Sequence, residues 1–130
     1  IVTFPDERAV KRYIGKVVKS AMTEVGEEFK KQSFEVGIEE NDDALILTVK
    51  MGNDPDFIYA AYATPTEQPE FGPSETQSLD ENDKATYYRA EVHLSEGGQN
   101  YDIMGWSKLS VINDIIDHYH KHQHFIHLLK

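Results

Sequence analysis

Cysteine is absent from the 130 residues, which excludes disulfide staples, thiolate catalysis and cysteine-ligated zinc. Basic charge is scarce. Thirteen Lys and Arg stand against 23 Asp and Glu, a formal net charge of -10. Nucleic-acid binding needs cations to displace the counterions of phosphate, and docking on anionic headgroups needs them as well. Neither partner is expected. Long apolar runs are also missing. The longest, Phe57 to Ala63, falls far short of the about 20 residues that span a bilayer, so no direct membrane insertion of this segment is expected. The start, Ile1-Val2-Thr3-Phe4-Pro5, lacks the basic and apolar regions of a signal peptide. It also lacks an initiator Met, and the expectation is a piece of a longer protein.

What is present suffices for one domain, residues 1–130, with one core. Pro5-Asp6-Glu7 opens a helix, because Pro is tolerated in the first turn and acids favour the positive end of the helix dipole. Val10, Ile14, Val17, Val18, Ala21, Met22, Val25 and Phe29 then recur at three- and four-residue steps, which predicts an amphipathic helix to about Gln32. The period next changes to two. Phe34, Val36 and Ile38 predict a first strand, Leu45, Leu47 and Val49 a second, and Asp56 to Ala63 a third. Asn41-Asp42-Asp43 and Gly52-Asn53-Asp54-Pro55 are the turns between them. The stretch 64–84, with Pro65, Pro69, Gly72 and Pro73 among polar residues, reads as a mobile loop.

Ala85 to Ser95 reads as a fourth strand with two distinct faces. Tyr88, Ala90, Val92 and Leu94 are assigned to the core, and Tyr87, Arg89, Glu91 and His93 to the outside. Glu96-Gly97-Gly98-Gln99 turns the chain. Tyr101 and Ile103, continued towards Trp106, form a fifth strand, and Ser107 caps a last helix. Leu109, Ile112, Ile115, Ile116, Tyr119, Gln123 and Ile126 are its expected buried stripe. The fold class is therefore α+β: an antiparallel sheet of about five strands, with the N-terminal and C-terminal helices packed on one face. The outer face, Tyr87, Arg89, Glu91 and His93, together with Trp106, is the expected interaction surface. It is the first place to look for a partner or a homo-oligomer contact.

Chemistry-bearing patterns are few. His118 and His122, and likewise His120 and His124, sit four apart on a helix, a spacing that can bring two imidazoles to one adventitious metal ion. The same helix could respond to pH. The zinc-protease pattern His-Glu-x-x-His is missing, as are both glycine-rich phosphate-binding motifs and the EF-hand spacing. No serine is paired with a base, because Ser95, Ser107 and Ser110 sit in turn or cap positions. No catalytic residue and no cofactor are assigned.

Three stretches carry a family resemblance. Tyr87-Tyr88-Arg89-Ala90-Glu91-Val92, then Glu96-Gly97-Gly98-Gln99, then Tyr101-Asp102-Ile103-Met104-Gly105-Trp106-Ser107 resemble the C-terminal tail of the betaine/choline/carnitine transporter family, in its choline-transporter branch. The helix with Asp114-Ile115-Ile116-Asp117, Tyr119, His122 and Phe125-Ile126-His127 is similar to the segment that follows, as are the opening helix and Asp54-Pro55-Asp56-Phe57-Ile58-Tyr59. The resemblance implies a regulatory, osmosensing domain of a bacterial choline or glycine betaine carrier. It would sit on the cytoplasmic side of the inner membrane, with the transmembrane part of the same transporter as its partner. The chain departs from a basic-tailed branch of the family in being acidic, and from the family helix in carrying His118, His120 and His124. Two alternatives stand beside this one: an independent dimeric, chaperone-like interaction module, and a metal-binding protein that uses the His-rich helix.

Overall fold

The computed structural model describes residues 4–67, 86–95, 97, 98 and 100–129. Asp6 caps the first helix by accepting from the Ala9 amide at 2.8 Å. Helix α1 (Glu7–Tyr13) continues through a π-helical turn, Ile14–Val18, into α2 (Lys19–Lys31). The wide turn has a reason in the sequence. Val10, Ile14, Val18 and Met22 are spaced four apart, and each such step drifts about 40° from the 3.6-residue period. A turn with more residues per revolution re-phases the stripe, so all four remain buried.

Five antiparallel strands follow in spatial order β1-β2-β3-β4-β5. They are β1 (Glu35–Glu40), β2 (Ala44–Met51), β3 (Asp54–Glu67), β4 (Thr86–Leu94) and β5 (Tyr101–Asp102). Helix α3 (Lys108–Leu129) ends the described chain. Pairing Leu47 with Tyr59, Val49 with Phe57 and Ala61 with Val92 stacks the alternating apolar residues on one face. That face meets Val10, Ile14, Val18, Met22 and Phe29 from the first helices, and Val111, Ile115 and Tyr119 from α3. The α+β class and the shared helical face are as the sequence predicts.

Three details differ from the sequence reading. β3 runs to Glu67, so Thr64 to Glu67 are strand rather than loop, and 68–84 lie outside the described residues. β2 pairs with β3 only as far as Tyr62, so Pro65 lies where one flank of the strand needs no amide donor. β5 is two residues long, and Trp106 lies beyond it in the connection to α3. The buried stripe of α3 is Val111, Ile115, Tyr119, His122 and Ile126, whereas Leu109, Ile116 and Gln123 are exposed. Tertiary packing chose the neighbouring stripe because its spacing aligns with β3 and α2, even at the expense of burying an imidazole.

Candidate functional site

The open face of the sheet gathers four of the predicted residues. Register places Thr66 beside Tyr87, Thr64 beside Arg89, Tyr62 beside Glu91 and Ala60 beside His93. His93 Nε2 lies 3.0 Å from Glu91 Oε1, and Arg89 lies 3.9 Å from both Glu91 and Asp102. The Tyr62 ring meets His93 edge-on with centroids 4.7 Å apart, and Phe4 covers Tyr87 at 4.8 Å. This surface is a half-buried network of opposite charges and rings. Its polar groups are engaged with one another as cross-strand and same-face pairs.

Trp106 is not part of this network. It sits on the helical side, 38% exposed, with its ring stacked on Tyr101 at 6.3 Å. Its carbonyl, like that of Ile103, accepts from the Tyr13 hydroxyl, at 2.7 and 2.8 Å. Burial pushes the Tyr13 phenol up to about 12, with the nearby Asp102 charge acting in the same direction. Tyr13 thereby ties the first helix to the corner that launches α3. Gly105 makes that corner with a φ of 87°, and Ser107 Oγ caps α3 by accepting from the Ser110 amide at 3.1 Å.

The four histidines singled out by their spacing, His118, His120, His122 and His124, go to three different environments. His118 Nε2 is 3.5 Å from Asp114 Oδ1, and its ring stacks on Tyr101. Asp114 Oδ2 accepts from the hydroxyls of Tyr59 at 2.7 Å and Tyr101 at 2.5 Å. Burial, and then the bond to Asp114, raises the Tyr59 phenol far above its ordinary value. His122 is buried and donates from Nε2 to the Pro55 carbonyl at 2.8 Å. His120 and His124 face solvent. No group of three or more His, Asp or Glu is placed to hold a metal ion among the described residues. The Asp114 cluster is the feature that sequence reading missed. Its signal was the Asp114–His118 spacing, but the tyrosines come from β3 and β5, and only the fold brings them there.

These surfaces define a two-layer α+β domain whose polar side chains engage one another. No helix among the described residues is long and apolar enough to cross a membrane. No family model matches the chain. It is 37% identical over 131 residues to a glycine betaine transporter of Acinetobacter baylyi, covering 100% of this chain and 19% of that protein. Against the osmo-dependent choline transporter BetT2 of the same organism it is 30% identical over 135 residues, and against the high-affinity choline transport protein of Escherichia coli K12 it is 34% identical over 135. Each of these matches covers 98% of this chain and 19% of the relative. The chain thus spans about a fifth of the length of the relatives it matches. Along its whole length it is homologous to one segment of choline and glycine betaine transporters.

Proposed function

We propose that this chain is a C-terminal, cytoplasmic regulatory domain of a choline or glycine betaine secondary transporter, and that it adjusts transport to ionic strength without itself catalysing a reaction. The observation that carries the reading is the match along the whole chain to one segment of such transporters, one of them named as osmo-dependent. The charge supplies a physical mechanism. A domain of net charge -10 held beside an anionic leaflet is repelled by it. Exposed charges are screened beyond a Debye length of about 10 Å at 0.1 M salt and about 8 Å at 0.15 M. A rise in internal salt therefore lets the domain approach the membrane or exchange contacts with the transmembrane part of the transporter. The open sheet face, with Tyr87, Arg89, Glu91 and His93, is the surface offered for those contacts.

The test is transport in proteoliposomes carrying the parent protein with and without residues 1–130. Activation by internal salt is expected to disappear on deletion while basal uptake persists. Equal activation in both preparations would remove the regulatory reading.

A further inference from the structure

A groove of about 610 Å³ lies between α2 and α3, on the side of the helical layer away from the sheet. Phe29, Ile112, Ile116 and Tyr119 line its floor, and Glu24, Glu27 and Glu28 stand along its α2 rim. The apolar stripe of α3 continues past the groove. Leu109, Ile112 and Ile116 recur at three- and four-residue steps and so share one face. Leu109 is 65% exposed and Ile116 39%. Lys108 lies against Glu24 and Tyr119 against Phe29, so α2 and α3 run side by side in the same sense. Two helices with an apolar seam left open to solvent form half of a helix-packing site, and a third helix completes it.

We propose that this groove docks a basic amphipathic helix, which sets its apolar anchors on the floor and its Lys or Arg side chains against the glutamate rim. In helix-in-groove recognition the incoming helix sets its i, i+3, i+4 and i+7 apolar anchors along a floor of this kind. Charge decides among occupants. Glu24, Glu27 and Glu28 are held only by exposed lysines, Lys108 at 2.9 Å, Lys30 at 3.6 Å and Lys31 at 3.1 Å. Exposed pairs of this kind add little stability and exchange readily with an incoming cation. A second copy of this chain would bring the same acidic rim and the same excess of negative charge. An anionic lipid would meet the glutamates with its headgroup. A cationic helix satisfies floor and rim together. The inference goes beyond the regulatory reading and does not depend on it.

The test is an NMR titration of the ¹⁵N-labelled 130-residue chain with a Leu/Lys amphipathic peptide of about five helical turns. Two control peptides are used: a scramble of the same composition, and a Leu/Glu analogue. Shift changes are expected along 23–32 and 109–120 for the Leu/Lys helix alone, with binding weakened by added salt. Ile116→Asp is expected to weaken it at least about ten-fold. The triple change Glu24→Gln, Glu27→Gln, Glu28→Gln is expected to weaken it by about three-fold or more. All four positions are exposed, and unchanged circular dichroism of the variants establishes that they fold. Equal binding of the scramble, shifts centred on the open sheet face, no shifts at all, or full affinity in Ile116→Asp would each overturn the assignment.

Discussion

Asp114 ties α3 to two strands at once. Its carboxylate takes hydroxyl protons from Tyr59 of β3 and Tyr101 of β5, and His118 lies against its other oxygen. Hydrogen bonds to a charged group are worth about 1.5–3 kcal/mol each, and a buried donor left without its acceptor costs about 1–3 kcal/mol. Asp114→Ala is therefore expected to lower stability by about 2–4 kcal/mol in urea denaturation. Tyr101→Phe, which removes the Tyr101 hydroxyl from Asp114 and leaves Tyr59 on it, is expected to cost about 1 kcal/mol. A loss below about 0.5 kcal/mol for Asp114→Ala, the scale of an ordinary surface change, would mean the cluster is ornamental. Half of this arrangement is written locally in the sequence. Asp114 and His118 are four apart on a predicted helix, but nothing local brings Tyr59, 55 positions away, to the same oxygen.

At the scale of elements, the junction between α2 and β1 is built from one residue in a conformation it dislikes. Ser33 has a φ of 70°, the left-handed region that favours glycine. Around it, the Phe34 amide donates to Phe29 O at 3.1 Å and the Ser33 amide to Lys30 O at 3.0 Å. The rings of Phe29 and Phe34 pack edge-on at 5.8 Å. These are the bonds and the apolar contact of a Schellman ending, whose preferred residue here is Gly. Ser33→Gly is expected to stabilise the chain by about 0.5–1 kcal/mol, read as a higher urea midpoint at unchanged slope. An unchanged or lower midpoint would show that this backbone conformation carries no strain. The helix itself was legible from its four-residue spacing. Its π turn was not, because only the demand that Val10, Ile14, Val18 and Met22 all reach the sheet forces the re-phasing.

For the molecule as a whole, burial of phenols in the shared core sets an alkaline limit. Tyr13 is raised to about 12, and Tyr59 is raised further, each chiefly by burial. In the unfolded chain both titrate near their ordinary value of 10. Below that value both states keep the proton and the phenols contribute fully. Above it the unfolded chain releases protons that the folded chain holds, so stability falls as pH rises through the folded values. Thermal midpoints are expected to decline between about pH 10 and 12, and to decline less steeply in Tyr59→Phe. A profile indifferent to Tyr59→Phe would place the alkaline limit elsewhere.

Composition and periodicity, by themselves, determined an acidic α+β unit without cysteine chemistry, a five-stranded antiparallel order, and which face of β4 turns inward. Those properties follow from local alternation, turn residues and loop length, all of which are written along the chain. Tertiary structure alone decided which stripe of α3 is buried. Leu109, Ile112 and Ile116 compete with Val111, Ile115 and His122, and both stripes satisfy the helical period. The second packs against β3, where the Pro55 carbonyl accepts from the buried His122 imidazole. The first lies beside α2 with Ile112 half-buried and Leu109 and Ile116 exposed. Periodicity measures spacing along one helix, whereas burial depends on what the rest of the fold places against it.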